Sequence, residues 1–278
     1  MTWTPMTATP LRHPAVAGRF YPGDERSLRK EVRTYLAQAS GQIPVRAVGC
    51  IVPHAGYMYS GHVAGAVFVA LEIPQLCLVL CPNHTGNGCP VAIVSEGVWE
   101  TPLGNIPIDS EFATALKQRC SFLQEDSSAH SSEHGAEVEL PFLQVRQHEL
   151  KFVPIALGTG HLEILEQLGN AIADVIAAQN DPVLIVASSD MNHYESDAVT
   201  RLKDHSAIEP ILRLDARALY DAVTQQHISM CGFGPAVAML TAAKRLGATS
   251  AELVKYATSG DVSGDREMVV GYAGMVVR

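Results

Sequence analysis

The sequence predicts one α/β domain, a single three-layer α/β/α sandwich with a mixed, mostly parallel central sheet. Three observations carry that expectation. Apolar runs of strand length recur at 45–52, 76–81, 151–156 and 183–188, and read as strands buried on both faces. Segments with helical spacing separate them, as parallel strands joined by right-handed crossovers require. The 278 residues, 47% hydrophobic and 18% charged, suffice for one large core.

Residues 1–11 read as a flexible leader and 12–278 as the domain. An acidic start and the spacing of Leu28, Val32 and Leu36 predict a surface helix over 24–38. The strand at 45–52 runs into the loop PHAGYMYSG and an Ala/Val-rich helix over 62–72, and 76–81 is the second strand. Short β-prone runs broken by Gly and Pro make 91–109 a small β-excursion. Helices are expected at 110–119 and 134–147, a strand at 151–156, a helix at 161–178 and a strand at 183–188. Two helices, 198–213 and 215–226, precede the break MCGFGP. A helix at 235–246 and strands at 252–257 and 268–277 complete the chain.

The formal net charge is −9 and no basic run occurs, which argues against nucleic acid or an acidic membrane as the main partner. No apolar stretch reaches membrane-spanning length. The N-terminal residues lack the charged and apolar regions of a secretory signal. Six cysteines (50, 77, 81, 89, 120 and 231) form no CxxC pair and read as reduced thiols, so a cytoplasmic location is expected.

His54, His84 and His193 each lie one to four residues beyond an apolar run. Ligands of open α/β sheets bind outside the carboxyl ends of the strands, so three imidazoles can meet there. Each alone suits an ordinary surface turn; together they read as a mononuclear metal site. Cys231, before Gly232-Phe233-Gly234-Pro235, is a further candidate, because proline at a first helical position places the thiol where a helix dipole favours a thiolate. The alternative is an inert buried thiol. Asp190, three residues before His193, can accept its imidazole N–H; Asp190 or Asn192 equally suits a helix N-cap.

In SSEHGAEVELPF, Glu133, His134 and Glu137 suit the acidic first turn of a helix, with His134 the residue that fits this least. TSGDVSGDRE, with Asp261 and Asp265, lacks the ending of a phosphate loop and reads as a turn bordering the crevice. In GRFYPGD, Arg19, Phe20 and Tyr21 either line a pocket or pin the leader to the core.

With PHAGYMYSG, PNHTG, EHGAEVELPFL, SSDMNHY, CGFGP and TSGDVSGD in this order, the chain resembles the Memo family, the proteins named B of the AmmeMemoRadiSam group. The resemblance runs from about Arg12 to the C-terminus. It implies the fold of the class II extradiol dioxygenases, which use non-haem iron. It also implies that His54, His84 and Cys231 match the metal-binding positions. His193 matches a pocket histidine that serves as catalytic base in the dioxygenases, and Asp190 matches the acid beside it. The dioxygenases hold iron with two histidines and a carboxylate. Cys231 replaces the carboxylate, and a thiolate shifts preference toward copper(I), so ring cleavage does not carry over with the fold.

The leading expectation is a metal-dependent redox enzyme with one Fe(2+) or Cu(+) per chain. His54, His84 and Cys231 are the ligands, His193 and Asp190 the catalytic pair, and Tyr57, His134, Phe20 and Tyr21 the substrate-binding residues. The substrate is an unidentified small molecule or peptide. The resemblance adds a radical-SAM protein and a companion protein as partners. Two other readings stand beside it: a non-catalytic metal- or peptide-binding protein, and a metal-free nucleophile at Cys231 activated by His193 or His84.

Overall fold

The computed structural model describes residues 10–39, 41 and 43–278. In chain order, β1 (Leu11–Arg12) and α1 (Glu25–Gln38) lead into β2 (Gly49–Val52), α2 (Tyr57–Ala70) and β3 (Leu76–Pro82). Next come β4 (Val91–Ile93), β5 (Val98–Thr101), β6 (Gly104–Pro107), α3 (Ser110–Arg119), β7 (Gln124–Glu125) and α4 (Ser128–Ser131). A 3-10 turn (Glu137–Glu139) precedes α5 (Leu140–Arg146), β8 (Lys151–Leu157), α6 (Leu162–Ala177), β9 (Val183–Ser188) and β10 (His193–Glu195). The chain ends with α7 (Asp197–Leu212), α8 (Ala216–Gln225), α9 (Phe233–Arg245), β11 (Ala251–Thr258), α10 (Gly260–Ser263) and β12 (Val269–Val277).

The four apolar runs form the middle of a nine-stranded sheet, in the order β10-β12-β2-β9-β3-β8-β4-β7, with β11 also on β12. β2, β9, β3 and β8 run parallel to one another, whereas β10, β11 and β12 on one side and β4 on the other add antiparallel pairings. The sheet is thus parallel at its centre with antiparallel pairings on either side, and β7 closes one edge parallel to β4. Helices α1, α2 and α5 pack together on one face, and α3, α6, α8 and α9 on the other. Almost every side chain of the central strands is buried, as uninterrupted apolar runs require.

Of the expected leader, residues 1–9 lie outside the described residues. Leu11 instead belongs to β1, which pairs in parallel with β5 in a separate three-stranded sheet. The helix expected at 62–72 starts earlier, at Tyr57. The helix expected at 134–147 shrinks to α5, because 133–136 form an irregular turn stitched to His84 and Ser188. The three-residue β10 has no counterpart in the hydrophobic pattern. No helix of the described residues is long and apolar enough to cross a membrane.

Candidate metal centre

Because β2, β9 and β3 are parallel neighbours, their carboxyl ends open at the same edge of the sheet, and the loops after them deliver His54, Asp190 and His84. Cys231 arrives from the α8–α9 connection. Its neighbour Gly232 lies so close to the end of β9 that a Cβ there would stand 2.3 Å from the Ser188 carbonyl oxygen. Only glycine lets the cysteine turn press onto that strand.

One ligand atom from each of His54, His84 and Cys231 lies within 4.8 Å of the others. Cys231 Sγ is 3.3 Å from His54 Nε2, and the His54 and His84 rings stand nearly perpendicular with centroids 5.0 Å apart. Both imidazoles are tied back by Nδ1. That of His54 is 2.7 Å from Ser188 Oγ, and that of His84 is 2.8 Å from Glu133 Oε1. Each Nε2 lone pair therefore faces the centre, the arrangement a metal-binding histidine needs. Burial, with His84 adding to it, pushes the His54 imidazole down to about 3, so it is neutral.

Glu133 does more than decorate a helix turn. Its carboxylate is buried and accepts the His84 amide (2.6 Å), His84 Nδ1–H, the His134 amide (2.9 Å) and the Gly135 amide (2.8 Å). Burial alone would raise its pKa, but the bonds from His84 and the Gly135 amide prevail and hold it at about 2. His84, Glu133 and His134 also form a second donor group. Oε1 takes three N–H contacts and Oε2 takes the His84 amide, so Glu133 is a support for His84. His134 stacks on His84 at 4.4 Å, with Phe20 4.8 Å away on its own ring.

His193 enters from β10, its Nδ1 2.9 Å from the Ser229 carbonyl oxygen and its amide bonded to Ser229 Oγ. It thus shares the Nδ1-anchored tautomer of the other two. Asp190 departs from expectation: its Oδ1 accepts the amides of His54 (2.9 Å) and Ala55 (3.3 Å), and no bond to His193 forms. Asp190 positions the loop after β2, while the Ser229 carbonyl orients His193. Tyr194 beside it holds φ 60, a left-handed conformation that costs a non-glycine residue about 1–3 kcal/mol, and its side chain is exposed.

Two expected pocket residues have other work. Tyr57 is buried, its hydroxyl bonded to the Val138 carbonyl, and Tyr21 is buried with its hydroxyl on Glu137. Of the aromatic residues expected to bind substrate, Phe20 alone reaches the histidines. The dipole argument for Cys231 also yields. α9 begins at Phe233 with Pro235 its third residue, and burial, reinforced by Asp190, pushes the thiol up. A neutral thiol is a poor nucleophile, whereas a cation at this spot would favour its thiolate. Asp261 lies in an ion-paired clasp with Arg201 and Arg266 that fastens α10 to α7.

Sequence reasoning missed Ser188, Glu139 and Asp204, and read Asn192 only as a helix N-cap, whereas its Oδ1 accepts the Ser229 amide and hydroxyl. Glu139, alone among apolar neighbours in VELPF, carried a visible signal; Ser188 carried none. A cavity of about 240 Å3 adjoins His84 and Cys231, walled by Thr159, Gly160, Phe233 and Gly234. Among the described residues, larger clefts of about 410 Å3 beside Trp99 and about 490 Å3 beside Asp109 border none of these ligands.

Comparison with known proteins gives a consistent result. The profile of the family described as Memo-like protein matches residues 12–276. A MEMO1 family protein of Methanopyrus kandleri is 43% identical over 96% of this chain and 99% of its own length. One from Methanosarcina mazei is 42% identical over 96% and 99%. Among solved structures, an uncharacterized protein of Escherichia coli K12 superposes with TM-score 0.57 at 12% identity, over 83% of this chain and all of the other, a likeness of fold.

Proposed function

We propose that this chain, which belongs to the Memo-like protein family, holds one thiophilic metal ion through His54, His84 and Cys231 and acts as a metal-dependent redox enzyme. One observation carries the metal reading: three donors from three loops converge while both histidines are anchored by Nδ1, leaving Nε2 toward the same point. Two imidazoles and a thiolate suit copper(I), with iron(II) the second choice, and such an ion when bound supplies redox chemistry.

The protein's own groups would do the rest. His193, with Nδ1–H on the Ser229 carbonyl, keeps Nε2 free to take a proton from a bound substrate. Phe20 and His134 offer flat faces to a small molecule or a peptide side chain at the rim. The cytoplasmic placement rests on six unpaired cysteines. Association with a radical-SAM protein and a companion rests on the resemblance alone, and co-purification tests it.

The deciding experiment is elemental mass spectrometry of protein purified without oxygen, with Cys231→Ala and His54→Ala in parallel. Near-stoichiometric copper or iron, absent from both variants, is expected and opens the way to oxygen-consumption assays. A wild type that takes up neither metal on reconstitution overturns the proposal. A loaded protein without turnover on any oxidant leaves a metal- or peptide-binding protein.

A further inference from the structure

Ser188 Oγ has three close polar neighbours in the core. His54 Nδ1 lies at 2.7 Å, the Gly135 carbonyl oxygen at 2.6 Å and Glu139 Oε1 at 2.9 Å. A hydroxyl has one hydrogen to give and two lone pairs to receive. The Gly135 carbonyl can only accept, so it takes the Ser188 hydrogen. The other two contacts are attractive only if His54 Nδ1 and Glu139 Oε1 each bring a hydrogen of their own. An ionised Glu139 would set two lone-pair-bearing oxygens against each other, either at Gly135 or at Glu139. It would also leave a charge on Oε2, which is fully buried and has no hydrogen-bond partner.

We infer that Glu139 is a neutral carboxylic acid that donates to Ser188 and, through it, fixes His54 with Nε2 toward the centre. It is a positioning residue, out of reach of the ligand site itself. Burial pushes its pKa well above the ordinary carboxyl range, and the neighbouring Asp190 adds to the rise. The two histidines thus rest on unlike supports, His84 on an ionised carboxylate and His54 on a hydroxyl backed by an un-ionised acid. The cluster thereby avoids a second buried negative charge behind His54. The consequence for metal binding rests on the proposed function; the protonation state does not.

The test is infrared difference spectroscopy of the metal-free protein at neutral pH, wild type against Glu139→Gln. Expected is the carbonyl stretch of a buried protonated carboxyl in the wild type, absent from the variant, whose amide N–H can replace the acid as donor to Ser188. Nitrogen NMR of His54 should report Nδ1–H in both proteins. Metal affinity by chelator competition should stay within about twofold for Glu139→Gln and fall roughly tenfold for Ser188→Ala. A carboxylate band in place of the acid band, or an Nε2–H tautomer of His54, overturns the inference. Should Glu139→Gln fail to fold, the carboxyl carbon shift of labelled wild type reads the same protonation state. An acid band in a protein that takes up no metal sustains this inference while the metal proposal falls. The opposite pair of results does the reverse.

Discussion

Glu133→Gln tests whether the carboxylate behind His84 holds the centre together. Glutamine keeps the shape, but one of its two ends carries hydrogens. The gentlest placement sets the amide nitrogen where Oε2 now accepts the His84 backbone amide at 2.6 Å, turning that contact into donor against donor. The neutral oxygen must then serve His84 Nδ1–H and the amides of His134 and Gly135 without a charge. The carboxyl sits at about 2 against 4.5 ordinarily, a difference worth on the order of 3 kcal/mol at neutral pH. Over 278 residues that lowers Tm by roughly 5 °C. Because the folded pKa is the lower one, the wild-type advantage is complete above about pH 4.5 and vanishes as pH falls through 2. Urea unfolding of both metal-free proteins from pH 7 to 3 measures it. Metal affinity should drop by roughly 10- to 100-fold, as for other carboxylate supports of ligand histidines. Equal stability at pH 7, or a gap that does not narrow in acid, refutes the assignment.

Three further outcomes are expected. Glu137, fully buried, accepts Arg12 Nη1, the Ala15 and Val16 amides and the Tyr21 hydroxyl. Glu137→Gln breaks a buried ion pair and should destabilise by about 3–5 kcal/mol in urea unfolding. Asp204 is buried between the Asn192 amide and the Tyr256 hydroxyl, and burial pushes it up to about 7 against those bonds and Arg201. Its folded pKa is the higher one, so it contributes stability fully present below about pH 4 and lost as pH rises through 7. The change is on the order of 4 kcal/mol, and Asp204→Asn should flatten that slope in denaturant midpoints against pH. Gly271→Ala would put a Cβ 1.8 Å from Asp204 Oδ2 and should cost about 1–3 kcal/mol in the same assay; full wild-type stability would contradict the packing described.

The central strands and the strand-end histidines were legible because their signal is local: an apolar run, a break, an imidazole. The supports were not, because their partners are remote in sequence. Glu133 binds a histidine 49 positions away, and Glu137 binds groups 116 to 125 positions away, so a helix-turn reading of EHGAE had nothing local to contradict it. Asp190 misled for the opposite reason. Its nearness to His193 in sequence suggested a pair, yet the end of β9 points its carboxyl at the amides beyond β2. Tyr57 was read as part of a loop, but it opens α2, which turns its ring inward.

What distinguishes this centre is that its three imidazoles are held alike by three different devices. Nδ1 faces a buried hydroxyl at His54, an ionised carboxylate at His84 and a backbone carbonyl at His193. Anchoring each ring by the same nitrogen leaves Nε2 as its free nitrogen, and at His54 and His84 that nitrogen faces the clustered donors, whatever sequence carries it. Two of the devices depend on the turn at 133–139, and the N-terminal segment clamps that turn. Arg12 Nη2 donates to the Glu133 carbonyl, Arg12 Nη1 to Glu137, and Phe20 lies on His134. The same segment receives the Tyr57 amide through the Phe20 carbonyl, which ties the start of α2 to it. Residues 12–21, which contribute none of the three clustered donors, therefore belong mechanically to the centre. Loosening them should reach His84 and His54 before it reaches the buried strands that support both.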